Sequence, residues 1–151
     1  GDSEAKRRIR LAAEEEEKTN YLDGRMPDDW KDEIARLGTS WQKTYLEHAP
    51  WIVVLFEQRY GIDADGERQK HYYVKESVGI AARIFIASLQ TMVLATFNHT
   101  PSPIAFLTKH LDRTANQRPF ILIPDGYPER DSVVPSLERK PLAEILVEYD
   151  G

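Results

Sequence analysis

The segment that most constrains the fold is Tyr73–Met92, which is rich in alanine and apolar on almost every side of a helix. Such a helix requires burial in a core or at a subunit interface, because a surface helix keeps a polar face. The remaining sequence predicts three strands, at Trp51–Phe56, Leu94–Asn98 and Pro119–Pro124. Three strands leave much of this apolar surface uncovered, so we expect further strands or a partner chain.

The rest of the chain predicts a mixture of helices and loops around these strands. We expect helices at Glu4–Tyr21, from Pro27 to about Leu37, and after Pro103 to about Leu111, with a surface turn at Gly61–Gly66. The first strand, a continuous apolar and β-branched run, predicts burial on both faces.

Composition excludes several classes of protein. The chain has 151 residues, which suits one domain, and 20 basic against 25 acidic residues give a net charge of −5. An acidic chain argues against a general nucleic-acid or anionic-membrane binder. It has no cysteine, so disulfides, thiolate metal ligands and a cysteine nucleophile are excluded. No apolar stretch is long enough to span a bilayer and no signal peptide is visible, so we expect a cytoplasmic protein.

Strong local enzyme motifs are absent from the sequence. It contains no phosphate loop, no dinucleotide-binding glycine motif, no His-Glu-x-x-His and no Gly-x-Ser-x-Gly. The four histidines lack metal-ligand spacing, so we predict no metal site; they are His48, His71, His99 and His110.

Three residues near the N-terminus could bind an amino-acid zwitterion. Glu17 and Tyr21 are four apart and share one helix face, and Lys43 follows a turn. The glutamate would bind an ammonium group and the lysine a carboxylate. The alternative is that the Glu14–Glu17 run is simply a solvated helix face.

Two further segments could bind a ligand. Thr96–Pro101 places hydroxyl and amide groups at a strand end, where open sheets often bind ligands, although Thr100 could simply cap a helix. The pair Arg139-Lys140 could bind a phosphate, or could be an ordinary basic surface pair.

Taken together, these segments resemble a known family. They follow one another in the family's order over about Ala5 to Leu146: Glu14–Tyr21, Arg25-Met26 with Trp30, Thr39–Lys43, Ala49-Pro50, His71–Tyr73 with Glu76-Ser77, Leu94–Pro103, Gly126–Pro128, and Val134-Pro135 with Arg139–Pro141. The chain resembles the flavin-dependent nitroreductase superfamily, and within it the iodotyrosine deiodinase branch.

The resemblance implies an α+β fold, with a mixed sheet flanked by helices and the apolar helix at a homodimer interface. It implies one domain over residues 1–151, partial because the family's N-terminal segment is missing, with a lid at about residues 14–43. It also implies an FMN site shared between subunits, with these roles: Glu17, Tyr21 and Lys43 for substrate, Asn98, His99, Thr100 and Arg139 for FMN, and Thr100 as the catalytic hydroxyl beside flavin N5.

The chemistry implied is reductive dehalogenation of a halotyrosine, with NAD(P)H or another reductase as the electron donor. Two alternatives stay open: a general NAD(P)H-dependent nitroreductase or flavin reductase, and a catalytically inactive fragment. The second is favoured by the missing segment and by departures from the family pattern, which are Arg83 and Val93 at glycine positions, Asp125 at an aliphatic position and Asn98 at a threonine position.

Overall fold

One long strand organises the fold. The computed structural model describes residues 1–149, and the notation below follows chain order. The helices are α1 (Ser3–Tyr21), α2 (Asp28–Ala35), α3 (Tyr45–His48), α4 (Val74–Thr91), α5 (Phe106–His110) and α6 (Leu142–Ile145). The strands are β1 (Trp51–Gln58), β2 (Tyr60–Ile62), β3 (Arg68–Lys70), β4 (Ala95–Thr96) and β5 (Gln117–Gly126).

The main sheet has the order β1-β5-β4, so β5 is its central strand. Both pairings are antiparallel, with Val54 opposite Leu122 in one and Thr96 opposite Asp125 in the other. The α+β class is confirmed, but the described sheet is antiparallel rather than mixed. The three predicted strands are present, although β4 is shorter than expected and the chain rejoins β5 at a single bridge between His99 and Leu122.

The prediction that the first strand is buried on both faces is wrong for this chain. Most of β1 is only half-buried, and Trp51 at its start is exposed. The physical reason is that β1 is an edge strand of the sheet formed by residues 1–149, whereas the fully buried pair Leu122 and Ile123 lies on the central strand.

Two hydrophobic clusters lie on opposite faces of β5, because successive side chains of a strand point to opposite sides. Leu122 packs with residues of α1, α3 and α5, namely Ile9, Ala13, Leu46 and Leu107. Ile121 and Ile123 pack against Ala82 of α4. Helix α1 is therefore held against the sheet by its apolar stripe, which places its C-terminal half beside the loop that follows β4.

The apolar helix is confirmed as α4, but much of its surface is uncovered in one chain. Ala82 and Leu89 are buried, whereas Ile80 is 64% exposed and Ile84 is also exposed. Arg83 is exposed, so its guanidinium reaches solvent and is not buried among apolar groups. No helix within residues 1–149 has the length and apolar character needed to cross a bilayer.

A small hairpin, β2–β3, replaces the simple turn expected at Gly61–Gly66. Its turn is closed by Asp63, whose Oδ1 accepts the backbone N–H groups of Asp65 and Glu67 at 3.1 and 2.8 Å. Gly66 has φ +82°, which suits glycine. Because β3 consists of exposed charged and amide residues, it lacks the apolar alternation that marks a strand in sequence.

Helix α4 ends in a left-handed residue that is not glycine. Val93 has φ +60°, and the two bonds of a Schellman motif are present: Val93 N–H donates to Gln90 O and Leu94 N–H to Leu89 O, both at 3.1 Å. A β-branched side chain in this conformation is strained. Val93 therefore departs from the family's glycine at a position whose backbone conformation favours glycine.

We expect Val93→Gly to stabilise the chain by roughly 0.5–1 kcal/mol. Relief of the left-handed conformation is favourable by about 1–2 kcal/mol, and the greater freedom of glycine in the unfolded chain offsets part of that gain, by about 0.4–1 kcal/mol. Urea unfolding measures the difference. Val133→Gly, at an exposed position with ordinary φ, is the control and should not stabilise; a loss of stability in Val93→Gly would contradict the argument.

Candidate active site

Six of the seven predicted site residues line one cavity. The cavity has a volume of about 520 Å³ and lies between α1, α2 and the loop after β4. Its lining residues are Glu17, Asn20, Tyr21, Arg25, Met26, Trp30, Ile34, Leu37, Thr39, Lys43, Asn98, His99, Thr100 and Ser102. The substrate residues and the flavin-loop residues predicted from distant parts of the chain thus meet at one place.

The buried stripe of α1 positions the acidic part of the cavity. Ile9 and Ala13 pack in the core, and the same helical face continues with Glu17 and Asn20, which are also buried. Glu15, on the opposite side of the helix, is exposed. The alternative of a fully solvated acidic face is therefore wrong for Glu17, which is 7% exposed.

Lys43 completes a compact group with Glu17 and Tyr21, called the clamp below. The lysine is 3% exposed, its Nζ lies 3.9 Å from Glu17 Oε2, and it sits 5.4 Å from the centre of the Tyr21 ring. Nζ also donates to Ser40 O at 2.5 Å and to Thr39 Oγ1 at 3.4 Å. The three predicted substrate residues are brought together.

Burial and charge act in opposite directions on the clamp. Burial raises the pKa of Glu17 and lowers that of Lys43, because each loses its hydration, while their mutual attraction favours both charged forms. Burial also raises the pKa of Tyr21, which keeps it a neutral phenol. A ligand carrying both an ammonium and a carboxylate could satisfy each buried charge directly.

Glu14 binds the backbone of Lys43 and was not predicted as a site residue. Its Oε1 accepts the backbone N–H of Lys43 at 2.9 Å, and its other oxygen pairs with Arg10 Nη1 at 3.2 Å. Arg10 in turn donates through Nε to Glu47 at 2.6 Å. This network fixes the backbone at Lys43 against α1, so Glu14 belongs to the structure of the clamp and not to its binding surface.

The loop after β4 presents one buried and two exposed side chains. His99 exchanges two backbone hydrogen bonds with Leu122, at 2.9 and 3.0 Å, and this pins the loop to β5. The residues on either side, Asn98 and Thr100, are exposed and line the cavity. Their amide and hydroxyl groups are thus available to a bound ligand.

His99 is held neutral inside the cavity wall. Its ring packs edge-on against Tyr45 at 5.9 Å and stacks beside Phe97 at 6.4 Å between ring centres. Burial and the nearby positive charge of Lys43 lower its pKa to about 3. Its Nε2 and the hydroxyl of Tyr45 have no hydrogen-bond partner among residues 1–149. Tyr45 was not predicted from the sequence to lie beside the site. Burial raises the pKa of its hydroxyl.

Arg139 is the one predicted site residue that does not line the cavity. It lies in the exposed segment between β5 and α6 and makes no ion pair within residues 1–149. A cavity formed by one chain therefore lacks this cation.

Comparison with known proteins agrees with the geometry of the cavity. The chain is 45% identical over 148 residues to an iodotyrosine deiodinase of Haliscomenobacter hydrossis, which covers 98% of this chain and 66% of the relative. It is 40% identical to the Homo sapiens iodotyrosine deiodinase 1 over 147 residues, covering 97% of this chain and 50% of the relative. The chain belongs to the iodotyrosine deiodinase family.

The family's fold is also found by structural comparison. A crystal structure of oxidised iodotyrosine deiodinase bound to FMN and 3-iodo-L-tyrosine matches 99% of this chain and 72% of that chain, with a TM-score of 0.79 and 24% identity. An oxidoreductase containing FMN matches 81% of this chain and 65% of that chain, with a TM-score of 0.58 and 19% identity. No family model matches the sequence. The chain spans half to about two thirds of the length of these iodotyrosine deiodinase relatives.

Proposed function

We propose that this protein is an FMN-dependent oxidoreductase that reductively dehalogenates halotyrosines. The observation that carries the proposal is the shared cavity, in which Glu17, Tyr21 and Lys43 face the loop of Asn98, His99 and Thr100. A general nitroreductase has no need for two buried opposite charges beside its flavin loop. An amino-acid substrate accounts for both charges, because its ammonium group pairs with Glu17 and its carboxylate with Lys43.

The clamp recognises the amino-acid end of the substrate. Glu17 accepts hydrogen bonds from the ammonium group, Lys43 donates to the carboxylate, and the Tyr21 hydroxyl adds a neutral partner. Glu17 and Lys43 lie 3.9 Å apart, so each buried charge has the other as a partner. The lid region, at about residues 14–43, covers the substrate and excludes water, which strengthens these charged contacts.

The cavity residues suit the ring of a flavin. Asn98 and Thr100 offer uncharged donors and acceptors, and the residues lining the α2 side include the aromatic Trp30. FMN, when bound, supplies the two electrons that, with two protons, replace the carbon–halogen bond by a carbon–hydrogen bond and release hydrogen halide. Thr100, which lines the cavity, would offer its hydroxyl to the flavin N5, and this is its proposed catalytic role.

The phosphate of FMN needs a cation that the cavity does not supply. The lining cations are Lys43, which is paired with Glu17, and Arg25, which donates to Asn20 Oδ1 at 3.4 Å. Arg139 is the remaining candidate, and we propose that it acts in a homodimer whose subunits share each FMN site. The exposed apolar residues of α4, including Ile80 and Ile84, support such an interface. The electron donor, NAD(P)H or another reductase, and the cytoplasmic location remain predictions.

A flavin titration followed by turnover assays tests the proposed function. We expect the protein to keep FMN through desalting and, with dithionite as reductant, to release iodide and tyrosine from 3-iodotyrosine faster than it reduces nitrofurazone. Reduction of nitrofurazone without dehalogenation would indicate a general nitroreductase. Loss of flavin on desalting would indicate a non-catalytic fragment.

A further inference from the structure

Asn20 lies between the two halves of the candidate site and was not predicted from the sequence. It follows Glu17 by three residues on α1, precedes Tyr21 directly, and is 6% exposed. We propose that Asn20 is a positioning residue that ties the clamp to the loop carrying Thr100, an inference that rests on the proposed function of this cavity.

The side-chain amide of Asn20 forms hydrogen bonds through both its nitrogen and its oxygen. Its Nδ2 donates to Ser102 O at 2.8 Å, across 82 residues of sequence, and its Oδ1 accepts from Arg25 Nη1 at 3.4 Å. Its own backbone carbonyl accepts the N–H of Met26 at 3.2 Å. A buried amide with this set of partners is fixed in orientation.

Ser102 also faces the clamp. Its backbone N–H and the amide of Asn20 both favour the ionised form of Glu17, opposing the rise in pKa that burial causes. The same residue of the loop therefore accepts a hydrogen bond from Asn20 of α1 through its carbonyl and acts on the charge of Glu17 through its N–H. The Asn20 amide therefore connects this loop to the helix that carries Glu17 and Tyr21.

Thr100 lies between two fixed points of the loop. His99 is pinned to Leu122 by two backbone hydrogen bonds, and Ser102 is pinned to Asn20. Removing the Asn20 amide leaves the second point free and a carbonyl unsatisfied. Because small displacements of a reacting group cost as much as a hundredfold in rate, Asn20 acts on turnover through the position of Thr100.

The test compares Asn20→Ala with Asn116→Ala. Asn116 is a matched control, because its Nδ2 also donates to a distant backbone carbonyl, Tyr60 O, at 2.8 Å, but outside the cavity. We expect Asn20→Ala to speed amide hydrogen exchange by about tenfold or more at His99 and Leu122, whose two N–H groups form the bridge that holds the loop. In the FMN-loaded protein it should also lower kcat/KM for 3-iodotyrosine by about ten- to a hundredfold.

Asn20→Gln, which keeps the amide on a longer side chain, should recover part of both effects. Exchange at the His99 and Leu122 amides that stays within twofold of wild type would overturn the proposal, as would an equal loss of kcat/KM in Asn116→Ala. The exchange measurement needs neither flavin nor substrate. It therefore tests whether Asn20 holds the loop even if the wild-type protein fails to dehalogenate iodotyrosine. That failure would count against the proposed function alone.

Discussion

Lys43→Met should weaken the binding of 3-iodotyrosine by about ten- to a hundredfold, because a charge-assisted hydrogen bond contributes about 1.5–3 kcal/mol. The methionine keeps most of the length of the side chain and removes its charge. It also leaves Glu17, which is buried, without the cation at 3.9 Å that favours its ionised form. The pKa of Glu17 should therefore rise further, and the ammonium group of the substrate would meet a carboxyl that ionises less readily.

Glu17→Gln should weaken binding by a comparable factor, since it removes the partner of the ammonium group and leaves Lys43 unpaired. Titration of the FMN-loaded protein with 3-iodotyrosine, followed by the quenching of flavin fluorescence, measures both variants. An iodophenol without the amino-acid group should bind to wild type and to both variants with similar affinity. This comparison separates loss of the clamp from general damage to the cavity.

The same helix offers a matched control for the clamp. Lys18 and Glu15 are also 3.9 Å apart, but their side chains are exposed to solvent. Exposed pairs contribute little, and both residues lie outside the cavity lining. Lys18→Met and Glu15→Gln should therefore leave iodotyrosine affinity unchanged. If these variants lose as much affinity as the clamp variants, or if Lys43→Met binds like wild type, the assignment of the clamp is wrong.

The second large effect concerns stability. Asp125→Val should stabilise the chain at neutral pH by about 1–3 kcal/mol, the usual cost of burying a polar group without a partner. Asp125 is 7% exposed, and its Oδ1 has no hydrogen-bond partner within residues 1–149. It lies on β5 on the same face as Ile121 and Ile123, where an aliphatic residue fits the strand.

The gain from Asp125→Val should depend on pH in a defined direction. Burial raises the pKa of this carboxyl in the folded state above its unfolded value of about 3.9. The folded state therefore binds the proton more tightly, and the stability of wild type falls as the pH rises through the folded pKa. Asp125→Val should therefore raise the free energy of unfolding more at pH 7 than at pH 4.

Urea unfolding at the two pH values measures this difference. Asp32→Ala is the control, because Asp32 is exposed on α2 and its replacement removes one negative charge from the same acidic chain. It should show little change at either pH. A gain in Asp32→Ala equal to that of Asp125→Val would attribute the effect to net charge, and a gain in Asp125→Val that is larger at pH 4 would contradict the burial argument.

The sequence predicted much of the candidate site, but not how it is held together. Glu17 and Tyr21 were found because four-residue spacing defines a helix face, and the loop of Thr100 because hydroxyl and amide residues follow a strand. Asn20 carried a usable signal, since it continues the stripe of Ile9 and Ala13, yet its partner Ser102 is 82 residues away. No local pattern predicts such a bond.

The sequence alone determined the positions of α1, α4 and β5, because helix and strand periodicities and their breakers act over a few neighbouring residues. Only the tertiary structure decided that β5 is central and β1 at the edge, which carboxylates of the Glu14–Glu17 run are buried, and that Asp125 lies unpaired in the sheet. The physical reason is that burial and strand order depend on which distant segments pack together, and the free energy of that packing is shared across the whole chain.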